Sequence, residues 1–257
     1  MVDVAIIGCG VVGAAAAMQL ARRRCSVLVL EAENDVAMGT TKANSAILHA
    51  GYDPEPGTLM AKLNLRGSLL AAELCEQLDV PRRQCGSMVL AFSEEEREHL
   101  RVLLERGQKN GVPGLHIVSG EEARRMEPAL SPEVRGALVA PTAAIVSPWE
   151  LALAMAENGV QNGAQLLLET PVTGLSPVAG GWRLDTPRGS YTARFVLNAA
   201  GVNADQIHNL AAAPTFTICP NRGEYYLLDK SEGDMVGHVI FQCPTKAGKG
   251  VLVAPTV

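Results

Sequence analysis

The first thirty residues alternate apolar runs with a stretch of small residues. Val2 to Ile7 is an apolar run closed by Gly8, a pattern that predicts a buried parallel strand. Val11 to Arg22 is rich in alanine and other apolar residues and predicts a buried helix, and Ser26 to Leu30 predicts a second buried strand. A strand–helix–strand unit of roughly this length implies a right-handed crossover and a parallel sheet. Residues 32–57 have no long apolar period and hold Gly39, Gly51, Pro54, Pro56 and Gly57, so they read as loop. A helical pattern returns from Thr58 to Gln77, with Leu59, Leu63, Leu70 and Leu74 near one face.

Gly86 to Phe92 predicts a strand. Ser93 with Glu96, and Ser119 with Glu122, have the spacing of capping boxes, each opening a helix; Glu127-Pro128 closes the second. Ser147-Pro148-Trp149-Glu150 combines a serine cap, proline at the first helical position and an early glutamate, and starts a helix to about Asn162. Strands follow near Gln165 to Leu168, Val172 to Leu175, Trp182 to Thr186 and Tyr191 to Leu197. Pro187-Arg188-Gly189-Ser190 suits a hairpin turn between the last two. Asn203 to Ala212 reads as helix, and Tyr225 to Leu228 and Val251 to Val253 read as strands. The expected fold is α/β. A Rossmann-like nucleotide-binding domain, with a parallel sheet and a β-meander, is formed by residues 1–80 and 145–215. It is interleaved with a mixed α+β domain, residues 81–144 and 216–257.

Composition narrows the class. Of 257 residues, 47% are apolar and 19% charged, which excludes a disordered chain. The net charge is -5 and no basic face is visible, so nucleic acid is not an expected partner. Arg22-Arg23-Arg24 stands where the first helix should end, where positive charge is favourable. The six cysteines form no Cys-x-x-Cys pair and no histidine stands at zinc-ligand spacing, so no metal site is expected and free thiols in a reducing compartment are. No basic leader precedes VDVAII, and no apolar stretch approaches the ~18 residues of a membrane span. The expected location is the cytoplasm; peripheral membrane contact is left open and nothing indicates it.

The strongest motif is Gly8-Cys9-Gly10-Val11-Val12-Gly13. It follows a strand, opens a helix, and is followed by Glu31, with Ala32 beside it, at the end of the next strand. Gly8 permits a tight turn, Gly10 lets amides approach a pyrophosphate, and Gly13 lets helix and strand pack closely. The helix start adds partial positive charge. Glu31 can accept hydrogen bonds from ribose hydroxyls. This motif leaves FAD and a nicotinamide dinucleotide both open.

The next segment separates them by resemblance. Residues 40–52, TTKANSAILHAGY, resemble the second fingerprint of the D-amino-acid oxidase-like FAD oxidoreductases. More closely, the chain is similar to the L-2-hydroxyglutarate dehydrogenase/oxidase family and the flavin-dependent glycerol-3-phosphate dehydrogenases. The similarity continues through PGTLMAKLNLRG (56–67), QCGSMVLAFSEEE (84–96), NGVPGL (110–115), EPAL (127–130), NAAG (198–201) and RGEYYLLD (222–229). The resemblance implies FAD as cofactor, with Thr40, Thr41, Asn44 and Ser45 near the pyrophosphate and flavin. Val172, on its strand, would touch the adenine, and Ala199, Ala200 and Gly201 would make a second close main-chain approach.

For catalysis the resemblance and the chemistry point to His49 as the base that removes a hydroxyl proton during hydride transfer to the flavin. Arg222 offers a fork for an anionic substrate, with Tyr225 and, more weakly, Tyr52 completing the site. His49 and Arg222 are expected to face one cavity. The implied reaction oxidises the C–OH of a small anion, glycerol 3-phosphate or an L-2-hydroxy acid such as L-2-hydroxyglutarate; the electron acceptor is open. The alternatives are an amine or amino-acid oxidase of the same superfamily, or a flavoprotein fragment that does not turn over. Relatives are expected to continue past the segment matching GKGVLVAPTV, adding the last strand of the flavin domain and part of the substrate pocket.

Overall fold

The computed structural model describes residues 1–244 and 250–257; Gly248 and Lys249 of the GKGVLVAPTV segment lie outside the described residues. In chain order the early elements are β1 (Val2–Ile7), α1 (Val11–Ala21), β2 (Val27–Leu30), β3 (Ile47–Leu48), α2 (Leu59–Gln77), β4 (Arg82–Arg83), β5 (Ser87–Ala91) and α3 (Glu94–Asn110). Then come β6 (His116–Ser119), α4 (Gly120–Met126), β7 (Gly136–Ala140), β8 (Ala144–Val146), α5 (Pro148–Gln161) and β9 (Gln165–Leu167). The last are β10 (Gly174–Val178), β11 (Gly181–Thr186), β12 (Gly189–Asn198), α6 (Ala204–Asn209), β13 (Val239–Gln242) and β14 (Leu252–Val253). They divide into two compact units, Met1–Asn44 with Pro148–Glu224, and Ser45–Ser147 with Tyr225–Val257.

The first unit is Rossmann-like. Its six-stranded sheet runs β10-β11-β12-β1-β2-β9. β12, β1, β2 and β9 are parallel, with Ile6 opposite Leu197 on one side and Val29 on the other. β2 is buried along its whole length, as its unbroken apolar run requires. β10, β11 and β12 form an antiparallel meander that delivers β12 to the edge of β1. Ala5, Ile7, Leu28, Leu30, Leu184 and Ala193 form the core between them. α1 buries Gly13, Ala14, Ala17 and Met18 and stops at Ala21, so the arginine triplet lies past its end. Val172 is not on a strand: pairing starts at Gly174 opposite Asp185, and Val172 instead packs, partly buried, against the sheet core.

The second unit holds a five-stranded sheet, β14-β13-β5-β7-β6, and a three-stranded one, β3-β8-β4. β13 and β5 are parallel; the other pairs are antiparallel. The two capping serines act locally: Ser93 Oγ accepts from Glu96 N–H and Ser119 Oγ from Glu122 N–H, each at 3.1 Å. Thr58 caps α2 in the same way, accepting from Ala61 N–H. The buried face of α2 is Ala61, Ala71 and Cys75, while Leu59, Leu63 and Leu70 point outward.

Three expectations change. Residues 45–80 and 145–147 belong with the second unit, because β3 pairs with β8 and the Asn110 side chain donates to the carbonyls of Gly51 and Pro54. Residues 216–224 belong with the first, where Ile218 N–H donates to Asp205 Oδ2. Tyr225 to Leu228 is not a strand: among the described residues nothing pairs with it, and a strand without a ladder leaves its main-chain groups to solvent. Among the described residues no helix is long and apolar enough to cross a membrane.

Candidate functional site

The β1–α1 turn closes on itself through missing side chains. Gly8 holds φ +97°, a region that favours glycine, and a Cβ there would lie 2.6 Å from the Ala199 carbonyl oxygen. A Cβ on Gly13 would lie 1.9 Å from the Gly8 carbonyl oxygen. Gly10 faces the open side, where its Cβ would meet only the Thr41 Oγ1, at 3.1 Å. The first amides of a helix have no intrahelical acceptor. That of Val11 donates to Thr41 Oγ1 at 3.0 Å, and those of Val12 and Gly13 head the helix beside it. No acidic side chain stands in the first turn of α1 to cancel its partial positive charge. Val12 is 65% exposed although apolar.

Three further segments border this turn. Glu31, 8% exposed, follows β2; its Oε2 accepts from Cys9 N–H at 2.6 Å and its Oε1 from Glu33 N–H at 3.0 Å. Ala32 beside it is exposed. Thr40 to Lys42 form a 3-10 turn, held by the Asn44 amide, which donates to the Thr40 and Thr41 carbonyls. After β12, Ala199 N–H donates to Ile7 O, and Asn198 Oδ1 accepts from Ala200 N–H while its Nδ2 donates to Ala204 O. Gly201 then turns the chain with φ +57°. The Cys9 thiol is buried, and burial, with Glu31 and Asp35 near it, pushes it up to about 12. It is an inert filler beneath the turn. The arrangement has an open glycine face, helix-start amides and a buried carboxylate at the end of the next strand. That set fits a dinucleotide pyrophosphate and ribose.

Residues 3–257 match the FAD dependent oxidoreductase family. The chain belongs to that family. It is 49% identical over 257 residues to a glycerol 3-phosphate dehydrogenase of Caloramator mitchellensis, covering 100% of this chain and 54% of that one. It is 34% identical over 251 residues to an L-2-hydroxyglutarate dehydrogenase of Escherichia coli O17:K52:H18, covering 96% and 59%. Among solved structures, the dithionite-reduced L-alpha-glycerophosphate oxidase of Mycoplasma pneumoniae with FAD bound superposes with a TM-score of 0.85. It is 30% identical and covers 99% of this chain and 68% of that one. The chain thus spans about half the length of the curated dehydrogenases it matches.

Of the expected residues in this family member, Gly8, Gly10, Val11, Val12, Gly13, Glu31, Ala32, Thr40, Thr41, Asn44, Val172, Ala199, Ala200 and Gly201 all lie in the first unit; Ser45 opens the second. Arg222 is in the first unit, exposed, and paired with Glu224 at 2.7 Å. His49 and Tyr225 are in the second. The His49 ring stacks on Phe241, centroids 5.7 Å apart and planes 26° apart. Tyr225 is exposed and outside regular structure.

Tyr52 is a correction. It is buried in the core with Leu100, Leu103 and Leu138, and burial raises its pKa above the usual tyrosine range. Gly107 on α3 admits it: a Cβ there would lie 2.8 Å from Tyr52 Cβ. A side chain enclosed in a packed core presents no arm to a substrate. Two contributors had no sequence signal: Phe241 against His49, and the Glu31 carboxylate on the Cys9 amide. Asn198 had a weak one, as the first letter of NAAG.

Proposed function

We propose that this chain is the FAD-binding part, with some of the substrate domain, of a dehydrogenase that oxidises the secondary C–OH of a small anion, glycerol 3-phosphate before an L-2-hydroxy acid. The observation that carries the proposal is the 49% identity to a glycerol 3-phosphate dehydrogenase across the whole chain, together with the glycine turn that suits the cofactor. In this reading the first unit is the FAD-binding domain and the second belongs to the substrate domain. Gly8 to Gly13 would hold the pyrophosphate, Glu31 with Ala32 the ribose, and Val172 the adenine. Thr40, Thr41, Asn44 and Ser45 would lie toward the flavin, with Ala199 to Gly201 as the second close main-chain approach.

FAD, when bound, supplies the hydride acceptor. The chain's own residues supply position and a proton acceptor. His49, with its ring oriented by Phe241, would take the hydroxyl proton on a ring nitrogen. Arg222 would bind the phosphate or carboxylate of the substrate, with Tyr225 as a further donor. To do so it must release Glu224, a fully surface pair that holds it weakly. Six unpaired cysteines support a reducing compartment, the cytoplasm.

The test is direct. The purified chain is examined for visible flavin absorbance, then mixed anaerobically with glycerol 3-phosphate or L-2-hydroxyglutarate. Bleaching by the first supports the proposal; bleaching by the second alone reassigns the substrate. A chain that holds no flavin when saturated with FAD overturns it.

A further inference from the structure

We infer that Glu31 is a positioning residue, one that sets the β1–α1 turn for a phosphate before any cofactor arrives and independently of the ribose. The inference rests on the FAD reading above. Each oxygen of the Glu31 carboxylate accepts a main-chain N–H, Oε2 that of Cys9 at 2.6 Å and Oε1 that of Glu33 at 3.0 Å. The residue itself is fixed: its N–H donates to Leu167 O and its carbonyl accepts from Thr170 N–H, so β9 and the segment after it hold it in place. Cys9 stands between Gly8 and Gly10, the two most permissive residues of the turn. Holding the Cys9 N–H fixes the orientation of the Gly8–Cys9 peptide, and with it the path into the helix start. A glycine turn left to itself would lose that freedom on binding, at the expense of affinity; a turn already held loses little. A carboxylate has about four acceptor sites, so this contact and a ribose contact can coexist.

The two roles separate with ligands that differ only in the ribose. The chain and its Glu31→Gln variant are titrated calorimetrically with ADP and with 2′,3′-dideoxy-ADP. Glutamine keeps one acceptor oxygen and turns an NH2 toward the other N–H. Glu31→Gln is expected to weaken both ligands roughly tenfold or more, and to speed exchange of the Cys9 amide, slow in the ligand-free parent, as read by NMR. If the variant weakens ADP but leaves dideoxy-ADP unchanged, the inference is overturned and the FAD reading stands. If the parent binds neither ligand, the FAD reading falls and this inference with it. Should the variant not fold, the parent decides. A slowly exchanging Cys9 amide with retained dideoxy-ADP binding supports the inference; a fast amide, or loss of dideoxy-ADP binding, overturns it.

Discussion

Gly13→Ala is the sharpest probe of the cofactor turn. The added Cβ would sit 1.9 Å from the Gly8 carbonyl oxygen and 3.0 Å from its carbon, with Ala199 Cβ at 3.5 Å. An ordinary C···O contact is about 3.3 Å, so the two must part by roughly 1.4 Å. The obstacle is main chain in a turn with one glycine at φ +97°, and no side chain can swing away. Overpacking costs about 1–3 kcal/mol, and a rigid obstacle puts this site at the upper end. Alanine returns about 1 kcal/mol of helix propensity, leaving a net loss of about 2 kcal/mol. Both tryptophans, Trp149 and Trp182, lie in the first unit, so urea unfolding followed by their fluorescence reports the unit that is changed. Gly67→Ala on α2 is the control. Its Cβ meets nothing within 4 Å, and it should stabilise the second unit by about 1 kcal/mol, read by circular dichroism. An unchanged fluorescence midpoint for Gly13→Ala would refute the close approach.

Three other outcomes follow. Gly10→Val should fold, since only the Thr41 hydroxyl stands near the new Cβ, yet lose FAD because its side chain fills the pyrophosphate side; a folded variant with full flavin absorbance counts against the assignment. His49→Ala should slow substrate reduction of the flavin by roughly 100- to 10,000-fold, as for a lost general base; a parental rate in rapid mixing leaves His49 a packing partner of Phe241. Cys9 gives a pH dependence: above about pH 9.0 the unfolded chain loses the thiol proton while the folded chain keeps it to about 12, so stability falls with rising pH in that window. The slope is at most about 1.4 kcal/mol per pH unit, and it should shrink in Cys9→Ala; identical alkaline slopes would show the thiol does not titrate there.

What could be read from the chain was what local chemistry decides. β1, α1 and β2 are mainly apolar runs set off by Gly8 and the arginine triplet, and the capping serines Ser93 and Ser119 bond to amides three residues on. What could not be read depends on partners far along the chain. Tyr225 to Leu228 has the composition of a strand and no ladder to join, whereas Arg82–Arg83 has the composition of a surface turn and is a strand because β8 runs beside it. β7 and β8 are short, wholly buried apolar runs without flanking alternation, and they become strands through pairing with β5, β6, β3 and β4. On α2 the helical period is legible but the buried face is not: Leu59, Leu63 and Leu70 are exposed, and Ala61, Ala71 and Cys75 are buried.

The same division runs through the site. The glycine spacing is a local requirement of a tight turn under a helix, and it is visible as letters. The use of Glu31 is not, because a carboxylate reads identically whether it awaits a ribose or already holds two amides. Here it holds Cys9 and Glu33, which links the end of β2 to the end of β1 through a side chain as well as through the sheet. The order of events in binding then changes. On the proposed role of Glu31, the strand pair forms, the carboxylate locks the turn, and a phosphate then meets amides already in place; a turn that organised itself around the phosphate would need no such lock.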